Sequence, residues 1–207
     1  MRRRDEFLLT GAVRPAAASP VRPREGYRPG RFLDTATGRR IPMLAAAVSA
    51  ERLFDLFLEL LRPLGDVVHL VLETSHAGPA RPGHDGGPAA GHADLRRSDI
   101  DTPVLASYLC EFEDLIVHDG CTGVAALATD RPAEVQLDEH KQLYVYADDL
   151  RPFRRLLRRA GVPRVPDLAL VSEGDHLHYS DPAFAARFRE LAHRLGVGDL
   201  DKVFSSE

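Results

Sequence analysis

Two runs near the middle of the chain, AEVQLD and KQLYVYA, constrain the fold more than any other feature. Val135, Leu137, Leu143 and Val145 alternate with polar or tyrosine positions. A period of two places these four on one face of a β-sheet and their neighbours on the other. Only the turn 138–141 (DEHK) separates the runs, so the two strands must pair antiparallel. Two further apolar runs, EDLIVH and TGVAALAT, lie just upstream and extend the pattern to a predicted four-strand meander.

A sheet with one buried face needs helices to cover it, and the sequence supplies four. Ser49 is the predicted cap of a helix carrying Phe54, Phe57, Leu58 and Leu61, closed by Gly65. Thr102 caps a second, with Pro103 first and Leu105, Tyr108, Leu109 and Phe112 inward. Asp148 or Asp149 opens a third, bearing Phe153, Leu156 and Leu157. Asp181 caps a fourth, with Pro182 first, then Phe184, Phe188, Leu191 and Leu195, and Gly196 at its end. Strands are expected at 66–74 and at DLALVS, and a hairpin at RFLDTATGRRIPMLAAAVS. The echo F-x-x-L-L-R-x-x-G in the first and third helices reflects shared amphipathic helix chemistry rather than duplication.

These elements predict a single α+β domain over residues 31–202. Its sheet is mixed, largely antiparallel and of about six strands, with four helices packed mainly on one face. Residues 1–30, arginine- and proline-rich without periodicity, read as a disordered arm, and 203–207 as a tail. Between 77 and 100 lies a long flexible loop of Gly, Pro, Ala, His and Asp.

The 207 residues suffice for one well-buried core, and a net charge of −4 disfavours nucleic acid as a general partner. Lys141 and Lys202 are the only lysines; the other cations are arginine. Two cysteines cannot form a disulfide framework. The apolar run after the initial arginines is too short for a secretory core, and no stretch approaches the roughly 20 apolar residues of a membrane span. A cytoplasmic protein without a membrane role is expected.

In a meander, alternate turns share one edge of the sheet. The turns HDGC (118–121) and DEHK (138–141) therefore fall together, and the strand ending near Glu73 and His76 reaches the same edge if the second helix is a crossover between parallel strands. His118, Asp119, Cys121, Asp138, Glu139 and His140 thus gather with Glu73 and His76, beneath a loop carrying His84 and His92. Two chemistries suit this set. His76, His118 and His140 with a carboxylate or thiolate could hold a metal ion, zinc being the candidate. Alternatively Cys121 is a nucleophile, deprotonated by His118 or His140 and oriented by Asp138. No cofactor signature such as HExxH or paired CxxC accompanies them. His176 and His178 share a strand face at ligand spacing, but the meander places them toward the opposite edge.

Two surfaces complete the inventory. Arg151, Arg154, Arg155 and Arg158 (with Arg159) line the third helix, and Tyr144 and Tyr146 line the outer sheet face beside Glu134 and Gln136. With no motif committing the chain to chemistry, the sequence predicts first a non-catalytic module acting through protein–protein contacts on these surfaces. The alternative is a small metal-dependent or Cys/His hydrolase using the two turns.

Overall fold

The computed structural model describes residues 7–35, 37–76 and 92–197. They form a single α+β domain. In chain order the elements are β1 (Val13–Pro15), β2 (Gly26–Leu33), β3 (Arg40–Ala47), α1 (Ala50–Leu61), β4 (Val67–Thr74), β5 (Ala93–Asp101), α2 (Thr102–Glu111), α3 (Glu113–His118), β6 (Thr122–Ala128), β7 (Ala133–Leu137), β8 (Leu143–Ala147), α4 (Arg151–Arg159), β9 (His176–His178) and α5 (Pro182–Leu195). Seven strands make one antiparallel sheet in the order β2-β3-β8-β7-β6-β4-β5, and β1 pairs with β9 in a separate two-stranded ribbon.

Alternation decides what each sheet face does. Leu44, Val68, Leu70, Leu72, Val124, Ala126, Val135, Leu137, Leu143 and Val145 point to one side. There they join apolar residues from all five helices, Phe57, Leu109, Leu115, Phe153 and Phe188 among them, in one continuous core. The other face carries a smaller apolar cluster of Ala45, Ala47, Leu168 and Leu170. Beside it lie half-buried Tyr144 and Tyr146, whose rings stack 6.3 Å apart. Gln142, at the end of the preceding turn, donates its side-chain amide to the Tyr144 hydroxyl at 2.8 Å and accepts the Val171 amide at 2.9 Å.

Helix ends follow local chemistry. The Asp181 carboxylate accepts from the Ala183 and Phe184 amides at 2.7 and 3.1 Å, and Gly196 ends α5 in the left-handed region at φ 61°. Ser49 holds the cap position of α1, but its hydroxyl donates to Glu51 and accepts the Leu8 amide, and the Leu8 carbonyl takes the Ala50 amide. Asp101, not Thr102, holds the position before α2, without a side-chain bond to the helix amides, and the Thr102 hydroxyl donates to the Gly65 carbonyl at 2.7 Å.

Several expectations are corrected. EDLIVH is the helix α3, not a strand. The Ile116 and Asp119 amides donate to the Phe112 and Leu115 carbonyls at 3.0 and 3.1 Å, the i to i−4 pattern of a helix, and Leu115, Ile116 and Val117 are all buried. The meander therefore has three strands, and β4 is antiparallel to both β5 and β6, so no parallel crossover exists. Residues 7–30 of the expected disordered arm are ordered: they supply β1 and the start of β2. The loop expected over 77–100 ends earlier, since β5 begins at Ala93; residues 77–91, with His84, lie outside the described residues, as does the tail. DLALVS is not a strand: Leu168 and Leu170 are buried against the sheet's second face, and Val171–Glu173 form a 3-10 turn. The helices number five among the described residues, and the strands seven and two.

Candidate metal centre

The predicted edge exists, although two of its premises fail. Because β4 and β6 are antiparallel, Thr74 pairs with Thr122, so the end of β4 meets the start of β6. Leu137 pairs with both Val124 and Leu143, which brings the β7–β8 turn alongside. The ribbon then adds what the sequence placed on the other side. Tyr179 donates its amide to the Ala12 carbonyl and accepts from the Gly120 amide, both at 2.8 Å, which seats β9 against the loop before β6. His176 and His178 therefore sit beside His140. Their expected place at the opposite edge is overturned, since their position depends on β1, a strand from the far end of the chain.

The three imidazoles form one cluster. Ring centroids of His140, His176 and His178 lie 4.8–5.0 Å apart, and one ligand atom from each can be chosen so that all lie within 4.8 Å of one another. His140 Nε2 and His176 Nε2 are 3.1 Å apart. Each remaining ring nitrogen faces an acceptor: His140 Nδ1 meets Asp138 Oδ2 at 2.9 Å, His176 Nδ1 the Gly174 carbonyl at 2.7 Å, and His178 Nδ1 the Gly120 carbonyl at 2.5 Å. A carbonyl or carboxylate oxygen can only accept, so Nδ1 carries the proton in each ring, and the Nε2 lone pairs of His140 and His176 meet. Two lone pairs at that separation repel unless a cation lies between them. Burial lowers the His140 pKa, but the hydrogen bond and charge of Asp138 outweigh it and raise it overall, so a proton is one such cation and a metal ion another.

Asp138 is placed for this by the turn itself. Its Oδ1 accepts the Gln142 amide at 2.8 Å and its carbonyl accepts the Lys141 amide at 3.0 Å, leaving Oδ2 for the imidazole. Closing the turn puts Lys141 at φ 60°, an uncommon conformation for a side chain of its size. Its ammonium is buried and donates to the Thr122 carbonyl at 2.6 Å. Burial drives the Lys141 pKa down to about 8, against the pull of Asp119, Asp138, Glu139 and Cys121.

A second cluster shares the loop. Asp119 is fully buried; its Oδ2 meets His76 Nε2 at 2.8 Å and the Thr122 hydroxyl at 2.5 Å, and its Oδ1 accepts the Cys121 amide at 3.3 Å. Burial raises its pKa, but hydrogen bonds from His76, Ser180 and Thr122 prevail and leave it lowered. His76, Asp119 and Cys121 also satisfy the spacing for a metal ion. Cys121, however, has its thiol pKa raised, first by burial and then by the charges of Asp119 and Glu139, the reverse of what activates a nucleophile.

The structure thus distributes the expected site residues. His140 and Asp138 belong to the three-histidine cluster, and His76, Asp119 and Cys121 to its neighbour. His118 is exposed and accepts the Gly11 amide at 3.2 Å on its Nδ1. Glu139 accepts the Ser75 hydroxyl at 2.9 Å. Arg151, Arg154, Arg155 and Arg158 are exposed along α4, Arg151 bonded to Asp149. The i, i+2 spacing of His176 and His178 was the visible sign of the cluster. What the sequence lacked was any sign of where that strand would dock.

Glu73 occupies the open sheet face, where it accepts from Gln136 at 2.7 Å. Burial, with Asp94 nearby, pushes its pKa up to about 7. An acid whose folded pKa exceeds its unfolded value leaves stability untouched below about pH 4.5 and erodes it as pH rises toward 7. For a partly solvated group the loss is about 1–2 kcal/mol. Urea midpoints of wild type and Glu73→Gln measured from pH 4.5 to 8 are expected to diverge progressively in favour of the variant. Parallel curves would refute this account.

No protein-family model, no curated protein and no solved structure matches the chain.

Proposed function

We propose that the chain is a small metal-dependent hydrolase that holds one zinc ion on His140, His176 and His178 and activates water at the ion's remaining position. The observation that supports this is the hydrogen bonding of the three rings, each with Nδ1 committed to an acceptor and Nε2 available. Three neutral imidazoles are a donor set zinc takes readily. A tetrahedral ion with bonds near 2.0 Å spaces its nitrogens roughly 3.3 Å apart, close to the separation of His140 and His176. Among the described residues this group brings three protein ligands, the number typical of a site that keeps a position for water. Zinc lowers the pKa of such a water toward neutrality. Asp138 fixes the His140 tautomer, and the His76–Asp119 pair on the adjoining loop offers an oriented imidazole for proton transfer.

Cys110 and Cys121 are unpaired, in keeping with a reducing, cytoplasmic setting. Among the described residues no helix is long and apolar enough to cross a membrane.

The test begins with elemental analysis of the untagged chain. Near-stoichiometric zinc is expected in wild type and none in His140→Ala/His176→Ala, and Asp138→Asn should weaken zinc binding roughly 10–100-fold. Chelation should stop hydrolysis of 4-nitrophenyl acetate, and added zinc should restore it. Wild type that takes up no zinc at neutral pH would overturn the metal centre. Bound zinc without chelator-sensitive turnover would overturn the hydrolase and leave a structural ion in a protein-binding module.

A further inference from the structure

Arginines from two separate elements face each other across one groove. Arg151, Arg154, Arg155 and Arg158 come from α4 and Arg164 from the segment after it, with Tyr27 at the base, around a volume of about 570 Å³. That is the size of an ordinary small-ligand cavity. Both walls are anchored. Phe153 and Leu157 root α4 in the core. Tyr27 donates its amide to the Pro163 carbonyl at 2.8 Å and accepts the Val165 amide at 2.9 Å, which fixes Arg164 between them.

The charge in the groove is only partly compensated, by Asp149, which bonds Arg151 and feels the charge of Arg154. Arg151 is held by Asp149 through two contacts of 2.9 Å. The side chains of Arg154, Arg155, Arg158 and Arg164 make no hydrogen bond or ion pair with any described residue. These four guanidinium groups line one groove in a chain whose net charge is −4, so the charges are segregated rather than abundant. Like charges held this close raise the local potential and favour a multivalent anion over separate counter-ions. The guanidinium fork matches phosphate oxygens in bidentate geometry. A nucleic-acid strand would also need bases to stack on exposed rings, and the groove's aromatic, Tyr27, is only 4% exposed.

We propose that this groove binds a chain of phosphate groups, supplied as inorganic polyphosphate or as the triphosphate of a nucleotide, through Arg154, Arg155, Arg158 and Arg164. The site is independent of the metal centre and stands whether or not the hydrolase reading holds.

Calorimetric titration of the full chain with tripolyphosphate, ATP and citrate, each at low and at physiological salt, tests it. Tripolyphosphate should bind and citrate should bind at least about tenfold more weakly, with affinity falling steeply as salt rises. Arg154→Glu/Arg158→Glu should lose at least about tenfold, and Arg154→Lys/Arg158→Lys should recover part of that loss, because the charge returns without the fork. Both pairs are exposed, and circular dichroism confirms that the variants fold. ATP binding tighter than tripolyphosphate would identify a nucleotide as the source, and equal binding the phosphate chain alone. Citrate matching tripolyphosphate, no binding of either phosphate, or full affinity in the Glu variant would overturn the proposal.

Discussion

Asp119→Ala is expected to cost the fold about 3–5 kcal/mol, the usual penalty for removing one member of a buried charged group. Its carboxylate is fully buried and collects His76, the Thr122 hydroxyl and the Cys121 amide. Alanine would leave those donors without their acceptor, and each unmade buried bond costs about 1–3 kcal/mol. The buried Lys141 ammonium would also lose the nearby anion that does most to sustain its charge. Asp119→Asn keeps the shape and part of the bonding, so its cost should be clearly smaller. Urea unfolding at neutral pH measures both. A loss below about 1 kcal/mol for the alanine variant would mean that water replaces the carboxylate, and would remove this cluster from the list of structural anchors.

Gly120→Ala should be nearly as damaging by a different route. A Cβ built on Gly120 falls 2.5 Å from the Ala12 carbonyl oxygen and 2.9 and 3.0 Å from the Tyr179 carbonyl and amide. All three atoms are backbone, so the clash is not relieved by a rotamer change; the β1–β9 ribbon must move away from the sheet. Overpacking of this kind costs about 1–3 kcal/mol. The displacement also takes His178 from the Gly120 carbonyl that orients it, so zinc affinity should fall more than about tenfold. Gly11→Ala is the matched control, since the nearest atoms to its Cβ belong to the His118 side chain, at 3.4 Å and beyond. Equal zinc affinity in wild type and Gly120→Ala would show that the ribbon does not set the position of His178.

What could be read from the sequence divides by range of interaction. α5 was legible from end to end, because Asp181, Pro182 and Gly196 each act on backbone within a turn of themselves. The alternation in β7 and β8 likewise encodes its own pairing. EDLIVH was not legible: six residues, half of them apolar, fit a strand or a helix until a neighbour decides, and packing against α1 and α5 decides for α3. The site split in the same way. Asp138 and His140 were visible because one turn contains both, and the edge was found because it depends on strand direction alone. His176 and His178 were misplaced because their neighbour, the loop 118–121, is fixed through Ala12 and Tyr179, contacts that no local pattern announces. The arm 7–30 was misread for the same reason, its strands being too short or too proline-rich to declare themselves without their partners.

The pairing of Val13 with His178 also sets an order of events. Contacts between the two ends of a chain close late, since the entropy of the intervening loop must first be reduced by the sheet and core. On a ribosome the three-histidine cluster is therefore incomplete until His178 and the residues behind it have emerged, long after the β7–β8 turn carrying His140 is available. The proposed zinc ion would then enter last, onto a body already folded, and its removal should release the ribbon before it disturbs the sheet.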